Sequence, residues 1–145
     1  NVSKLGPRIA GCGGFINISQ NARRVFFCGT FTAGGLKTAF EDGALRILHE
    51  GPEKKLVRQV EQITFSGAYA RLTGQPVSYI TERAVFVLRP DGLHLTEIAP
   101  GIDLQTQILD QMEFIPVIDE PLRLMDPRIF RDGRMGLDGR RAAAV

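Results

Sequence analysis

Three glycines in four positions, Gly11, Gly13 and Gly14, form the part of this sequence whose residue types best suit chemistry. Glycine has no Cβ, so the backbone of such a run can approach a ligand closely. The stretch that follows, Phe15 to Ala22, is predicted to be a short helix, which places the run where backbone N–H groups point outward. Such donors suit a carbonyl oxygen that becomes negative during acyl transfer.

The glycine run has a second interpretation. A tight turn packed against a neighbouring element also uses closely spaced glycines, and the pattern alone leaves both interpretations open. A nucleotide P-loop is excluded, because the run lacks the Lys-Ser or Lys-Thr ending. Cys12, inside the run, is predicted to be a packed thiol without a chemical role.

A second loop, Thr30 to Gly35, follows the apolar run Arg24 to Cys28. That run is predicted to be a strand buried on both faces, and strand ends in open α/β sheets face the ligand crevice. Chain reversal between the strand and the next hairpin is the equally open alternative. The candidate residues for lining the crevice are Thr30, Thr32, Gly34 and Gly35.

Two Asp-Gly pairs predict β-hairpins, because this dipeptide suits turns that require positive φ. Pro90 beside the second pair predicts a longer loop there. The predicted strands are Lys37 to Glu41 with Ala44 to His49 around Asp42-Gly43, and Ala84 to Leu88 with Leu93 to Ala99 around Asp91-Gly92.

The rest of the chain shows weaker patterns. Leu56 to Phe65 fits a helical stripe but ends in β-forming residues, and it is predicted to be a strand, as is Gln75 to Ile80. Asp103 is a good N-cap for a helix that runs to about Glu113 and is ended by Pro116. After Pro121 an apolar set is predicted to anchor the chain: Leu122, Leu124, Met125, Ile129 and Phe130.

Composition indicates a soluble globular domain, with 145 residues, 43% hydrophobic and 23% charged, and a net charge of only +2. That charge is too weak to imply nucleic acid. The two cysteines and two histidines, Cys12, Cys28, His49 and His94, lack metal-site spacing, so no metal and reduced thiols are predicted. The sequence has no membrane-length apolar run and no signal peptide, so a cytoplasmic location is expected.

Over nearly the whole chain the sequence resembles the family I coenzyme A transferases, and most closely the acetate, propionate or 3-oxoacid CoA transferases. The segments that carry the resemblance are NVSKLGP from Asn1, IAGCGGFINISQ from Ile9, VFFCGTFTAGG from Val25, QVEQITFSG from Gln59, VSYITERAVF from Val77 and LHLTEIAPGIDLQTQI from Leu93. The match extends to about Phe130. The start at Asn1, without methionine, indicates a fragment of a longer enzyme.

The resemblance implies an α/β fold with an open sheet of the CoA transferase type, helices on both sides and added β-hairpins. Residues 1–130 would be the C-terminal portion of that enzyme's C-terminal domain, and 131–145 a flexible Arg/Gly/Ala-rich tail. The resemblance also implies a glutamate nucleophile that forms a glutamyl-CoA thioester. The family's glutamate motif is absent from this sequence, so the nucleophile would lie upstream and this chain alone would be inactive.

By position, the resemblance assigns oxyanion donors to Gly13 and Gly14, with Gly11 in the same loop and Phe15 shaping it. Glu82 and Glu97 are the two acidic candidates for an alternative nucleophile inside this chain, but both resemble residues that are structural in the family. Glu82 is predicted to form an ion pair with Arg83. Basic residues that are candidates to meet CoA phosphates are Lys54, Lys55, Arg58, Arg71 and Arg83.

The implied partners are an acyl-CoA, a short-chain carboxylate, the N-terminal remainder of the enzyme and further copies in a homo-oligomer. Coenzyme A is implied as a substrate, with no permanently bound cofactor, and neither nucleic acid nor membrane is expected. Two alternatives remain: a non-catalytic ligand-binding module of the same fold, for which no DNA-reading helix pair is visible in the sequence, and a structural or interaction fragment.

Overall fold

The structure is a computed structural model that describes residues 12–137. Its α-helices are Phe15–Asn21 (α1), Gly67–Thr73 (α2) and Leu104–Gln107 (α3), and Leu109–Gln111 and Pro127–Phe130 form 3₁₀ turns. The strands are Val25–Cys28 (β1), Thr32–Ala33 (β2), Lys37–Glu41 (β3), Ala44–His49 (β4), Glu53–Lys54 (β5), Val77–Ile80 (β6), Ala84–Arg89 (β7), Gly92–Ile98 (β8) and Val117–Leu124 (β9).

The main sheet has five strands in the order β1-β6-β7-β8-β9. The two outer pairs, β1 with β6 and β8 with β9, are parallel, and the two inner pairs are antiparallel. The β3–β4 hairpin and the short β2–β5 pair stand apart from this sheet. The predicted α/β class, an open sheet with added β-hairpins, is confirmed.

Helices α1 and α2 pack on the same face of the sheet. Phe15 of α1 and Ala70 of α2 belong to one apolar cluster with Val25 and Val77, which are register partners on β1 and β6. The resemblance implied helices on both sides of the sheet, whereas α1 and α2 both lie on one side. The reason is visible in the residues, since Phe15 of α1 and Ala70 of α2 pack against the same row of strand positions, while Ile18 and Leu72 are exposed.

The larger core lies farther along the sheet on this same face. Phe86 and Leu95 are register partners on β7 and β8, and Phe86 also pairs with Tyr79, which contacts both clusters. The β3–β4 hairpin and the region around α3 pack against the sheet through this core. Its buried members are Phe31, Leu45, Ala84, Phe86, Leu95, Ala99, Ile102, Ile108, Met112, Met125 and Phe130.

Both predicted hairpins are present. In the first, Asp42 has φ 52° and Gly43 has φ 79°, the backbone that an Asp-Gly turn adopts. The longer loop predicted for the second hairpin is wrong, because Arg89 pairs with Gly92 and leaves only two connecting residues. Pro90 takes the first connecting position, where its fixed φ suits a tight turn.

The strand predicted for Leu56 to Phe65 is wrong, since these residues form no regular element. Glu113 determines the path of this segment: its N–H donates to the Leu56 carbonyl at 3.0 Å and its carboxylate accepts the Arg58 N–H at 3.0 Å. Helix α2 was not predicted. It begins at Ser66, whose Oγ accepts the Tyr69 N–H, and ends at Gly74 with φ 68°.

The predicted N-cap at Asp103 is confirmed, because its carboxylate accepts the Thr106 N–H at 2.8 Å. The helix is shorter than predicted: α3 ends at Gln107, and a 3₁₀ turn follows Ile108, which has φ −118°. Strand β9 was not predicted because Pro116 and Pro121 flank or interrupt it. An edge strand tolerates proline, since one row of its N–H groups has no ladder partner.

Two further predictions concern the chain ends and the membrane. Residues 131–137 of the predicted flexible tail are described without helix or strand, while 138–145 lie outside the described residues, so the tail stays a prediction. Across residues 12–137, no helix is long and apolar enough to cross a membrane.

His94 lies between two carboxylates, Asp119 of β9 and Asp91 of the β7–β8 turn, and so connects β9 to this hairpin. Its Nδ1 and Nε2 lie 2.9 Å from Asp119 and from Asp91 respectively, and Arg89 donates two hydrogen bonds to Asp119 at 2.7 and 2.8 Å. The hydrogen bond to Asp119, more than that to Asp91, raises the pKa of His94 against the opposing effects of burial and Arg89. Across residues 12–137, no three acidic, His or Cys side chains are grouped to hold a metal ion.

We expect His94 to make stability depend on pH. A raised folded-state pKa means that the charged His94 stabilises the fold fully below its unfolded pKa of about 6.5, and this contribution is lost as pH rises through the folded value. The free energy of unfolding should therefore fall more on His94→Gln substitution at pH 6 than at pH 9, measured by urea titration. Asp91 and Asp119 stay ionised across that range because their pKa values are lowered, chiefly by His94. An equal loss at both pH values would contradict the expectation.

Candidate functional site

The carboxyl ends of β1 and β6 meet at one edge of the sheet. Cys28 pairs with Ile80, and the Gly29 N–H donates to the Ile80 carbonyl at 3.1 Å, so the two parallel strands end together. We call this the crevice edge, formed by residues 28–30 and 80–82 with Gly13 and Gly14. In open α/β sheets this is the side on which ligands bind.

Helix α1 places the glycine bend at the crevice edge. The chain reverses between α1 and β1, and the rings of Phe15 and Phe27 lie 5.9 Å apart, which brings the start of the helix beside the end of the strand. The Phe15 side chain packs against Phe27 directly after the bend, and its predicted role in shaping the bend stays a prediction. Its own N–H is already used, since it donates to the Cys12 carbonyl at 2.9 Å.

Gly13 and Gly14 are both exposed. Gly13 has φ 50°, and a Cβ added there would meet no atom of residues 12–137 within 4 Å, so these residues leave the space in front of the bend open. A Cβ on Gly14 would meet only Ile18, with Cδ1 at 3.1 Å. Among described residues the bend is not packed against a neighbouring element, which was the alternative interpretation of the glycine run. Gly11 lies outside the described residues.

The four candidates of the second loop do not stay together. Thr32 is buried, donates through Oγ1 to the Glu50 carboxylate and accepts the Gly51 N–H at 3.2 Å. Gly34, with φ 85°, lies against Pro52, and a Cβ there would be 3.2 Å from its ring. Gly35 turns the chain at φ 120°. These three residues reverse the chain, and Thr30 alone of the four lies at the crevice edge.

Behind this loop lies a charge network around Arg83, whose side chain is 0% exposed. The guanidinium donates to the Glu50 carboxylate at 2.6 and 3.0 Å, to Glu82 at 2.6 Å and to the Gln107 carbonyl at 3.1 Å. It also lies over the Phe31 ring, 5.0 Å from the centroid. The guanidinium is therefore held on several sides and fixes residues 31 and 32 relative to β7.

Hydrogen bonds within the network outweigh the effect of burial on the pKa values of Glu50 and Arg83. Desolvation by itself raises the pKa of Glu50, but hydrogen bonds from Arg83 and Thr32 outweigh it and hold that pKa below its ordinary value. Burial likewise lowers the pKa of Arg83, and the bonds to Glu50 and Glu82 overcome this so that the pKa is raised. Both groups stay ionised at neutral pH.

Neither acidic candidate for a nucleophile is free. Glu82 uses one carboxylate oxygen for Arg83 and the other for the Phe31 N–H at 2.8 Å, which confirms the predicted ion pair. Glu97 accepts a hydrogen bond from Arg123 at 2.9 Å. Sequence reasoning missed Glu50, because its partner lies 33 positions away and no local motif connects the two.

The structure also separates the basic candidates. Arg83 is buried and cannot meet a CoA phosphate, and Arg71 donates to Pro90 at the opposite end of β6. Lys54 donates to the Asp110 carbonyl. Lys55 donates to the Thr30 carbonyl at 2.6 Å, so it is the exposed member of these candidates whose hydrogen bond lies at the crevice edge. Arg58 is held by Glu113.

The chain is similar to curated CoA transferases, although no family model matches it. It is 56% identical over 135 residues to acetate CoA-transferase YdiF of Escherichia coli K12. This match covers 93% of this chain and 25% of the relative. It is 50% identical over 143 residues to caffeate CoA-transferase of Acetobacterium woodii, covering 95% of this chain and 27% of the relative. The chain thus spans about a quarter of the length of these relatives.

Solved structures of a CoA transferase are also similar to this chain. The acyl-CoA transferase YdiF of E. coli O157:H7, crystallised as a thioester complex with CoA, superimposes with a TM-score of 0.90 at 56% identity. The match covers 94% of this chain and 27% of that chain. The apoenzyme of the same protein superimposes equally well, with a TM-score of 0.90.

Proposed function

Because this chain matches the C-terminal part of a family I CoA transferase, we propose that it is part of an acyl-CoA:carboxylate CoA transferase. The complete enzyme would move CoA between short-chain acids. In this proposal the chain supplies oxyanion donors, and the nucleophilic glutamate lies in the remainder of the enzyme.

The proposed reaction proceeds through covalent intermediates. The glutamate carboxylate attacks the thioester carbon of the acyl-CoA, and the C–S bond breaks to give an acyl-glutamyl anhydride and the CoA thiolate. The thiolate then attacks the glutamyl carbon and releases the first acid as its carboxylate. An acceptor carboxylate reverses these steps on the resulting glutamyl-CoA thioester, so no net oxidation or proton transfer is needed.

Each of these attacks places negative charge on a carbonyl oxygen, and we assign its stabilisation to the N–H groups of Gly13 and Gly14. The observation that carries this assignment is the open, exposed glycine bend at the crevice edge. Preorganised N–H donors facing a developing oxyanion are among the strongest contributions to catalysis. Thr30 and Lys55 at the same edge are then placed to meet the acyl-CoA.

Of the two acidic candidates, Glu82 and Glu97, neither has a carboxylate suited to act as the nucleophile. Glu82 has both oxygens engaged, and Glu97 is paired with Arg123. An engaged carboxylate would have to break these hydrogen bonds before it attacked. This agrees with a nucleophile supplied by residues outside the chain.

The acid that accepts CoA is not determined by this part of the enzyme. The two curated relatives are named for acetate and for caffeate, acids of very different size, yet both are at least 50% identical to the chain. We propose that the pocket that selects the acid lies in the remainder. Coenzyme A is a substrate here, without a permanently bound cofactor.

The proposal predicts that activity requires both parts. Incubated with acetyl-CoA and propionate, the chain alone should exchange no CoA, because the nucleophile is missing, and the complete enzyme should form propionyl-CoA. Mass spectrometry of both samples provides the measurement and detects covalent CoA. A CoA adduct on the isolated chain would contradict the proposal directly. Absence of exchange by the complete enzyme would favour a ligand-binding or structural role.

A further inference from the structure

Strand β1 combines an entirely apolar sequence with one open face. All four residues of VFFC are apolar, the composition of a strand that is buried on both faces. Val25 and Phe27 do face the α1–α2 cluster, but Phe26, on the opposite face, is 56% exposed. The two-sided burial predicted from the sequence is therefore missing in the described part of the chain.

The face that carries Phe26 continues across the sheet and is buried where His94 packs among Asp91, Asp119 and Arg89. Register pairs join Phe26 to Ser78, Ser78 to Val87 and Val87 to His94, and His94 pairs in turn with Val117. Val117 at the far end is 44% exposed. Neither α1 nor α2 lies on this side, because both pack against the other face.

The outer edge of β1 is open as well. Strand β1 stands last in the sheet order, and no described strand pairs with it on the side away from β6. An edge strand presents unpaired N–H and C=O groups there, which native proteins commonly protect or cover, and parallel strands in α/β proteins are covered on both faces. We define the β1 surface as this outer edge together with Phe26 and Cys28.

We propose that the β1 surface is the docking site for the remainder of the enzyme, which adds a strand at the outer edge of β1 and an apolar layer over Phe26 and Cys28. This rests on the proposed function, because it takes the chain as one part of a longer CoA transferase. It further assigns the place where the two parts meet.

The lengths of the related proteins favour this occupant over a second copy. The same fold lies within a solved chain of which this chain covers only 27%, so ample protein is present to cover the surface. The surface also borders the crevice edge, since Cys28 ends β1 there and pairs with Ile80. A remainder docked on β1 would thus bring its own residues to the crevice edge.

Cys28 provides a direct test, because it is exposed and lies two residues from Phe26 on the same face. In the complete enzyme, labelling by N-ethylmaleimide is followed by peptide mass mapping, and each rate is divided by the rate in urea. Leu72→Cys serves as the matched control, since Leu72 on α2 is 83% exposed away from this surface.

We expect Cys28 to be labelled at least about tenfold more slowly than Leu72→Cys, since its reaction requires a local opening. In a second pair of variants, Phe26→Asp should speed Cys28 labelling severalfold and Leu72→Asp should leave it unchanged. Similar rates for Cys28 and Leu72→Cys would overturn the proposal. Protection that disappears on dilution would also overturn it, because a second copy would then cover the surface.

The result separates the two proposals. CoA exchange is measured on the same sample of the complete enzyme. Exchange with an unprotected Cys28 would refute the docking surface and leave the proposed function standing. A protected Cys28 without CoA exchange would support the docking surface and refute the transferase assignment.

Discussion

In the complete enzyme, Gly14→Pro is expected to lower kcat by about 100- to 1000-fold, the range observed when one oxyanion donor is lost. Proline has no N–H, so the substitution removes the donor that we assign to this position. The effect should fall on kcat more than on KM, because the lost interaction strengthens only as negative charge develops on the thioester oxygen.

The backbone at Gly14 is suited to this test. Its φ is −75°, within the range that the proline ring imposes, and it stands immediately before the first residue of α1, where a missing N–H costs the helix little. Within the described part of the chain, a new Cβ would meet only Ile18, at 3.1 Å from Cδ1, the far end of a side chain that can adjust. The loss of the donor is thus separated from gross disruption of the fold.

Gly14→Ala is the matched control, because it adds the same Cβ and keeps the N–H. We expect its kcat to fall by less than about tenfold, an effect of crowding without loss of the donor. Steady-state rates of CoA exchange and circular dichroism of both variants provide the measurements. A folded Gly14→Pro enzyme with nearly the same kcat as Gly14→Ala would move the oxyanion role to another residue.

The elements predicted well from the sequence are those specified by neighbouring residues. The Asp42-Gly43 turn depends on the positive φ angles that this dipeptide favours, and the Asp103 cap depends on a side chain three positions from its partner. Such interactions form within a few residues of the chain. Sequence patterns therefore identify them directly.

The elements predicted poorly are decided by distant contacts. Residues 56–58 follow the path that Glu113 imposes, more than 50 positions away, and this overrides the β-propensity of the segment. Strand β9 carries a proline that local rules count against a strand, although an edge position tolerates it. For Phe26, the strand prediction was right, and only the burial of its second face differed.

The candidate site shows the same division. The glycine bend was identified from residue types alone, and the structure adds that it is exposed and lies beside the ends of β1 and β6. Of the second-loop candidates, the sequence offered no way to separate Thr30 from Thr32. Their difference arises from Glu50, a tertiary partner of Thr32 that brings it into the Arg83 network.

That network should carry much of the chain's stability. Replacing Arg83 with methionine, a side chain of similar length without charge, should lower the free energy of unfolding by about 3–5 kcal/mol, as expected when one partner of a buried ion pair is removed. The carboxylates of Glu50 and Glu82 would be left with 27% and 19% exposed side chains and no cation between them. Chemical unfolding of the wild type and the variant provides the measurement.

Arg123→Met is the control, because Arg123 also pairs with a glutamate but is 66% exposed. We expect it to cost less than about 1 kcal/mol, the usual value of a surface ion pair. Adding Glu50→Gln and Glu82→Gln to Arg83→Met should recover part of the loss, since the unpaired charges are then removed. A loss of less than about 1 kcal/mol for Arg83→Met would show that the network contributes little.

Acid should weaken this network and so reduce the effect of Arg83→Met. Because the pKa of Glu50 is lowered in the folded state, its ionised form contributes stability above its unfolded pKa, and that stability is lost as pH falls through the folded value. The difference in unfolding free energy between the wild type and Arg83→Met should therefore be full at pH 7 and smaller below about pH 4. The same loss would loosen residues 31 and 32 next to the crevice edge, which couples the stability of the network to the shape of the site.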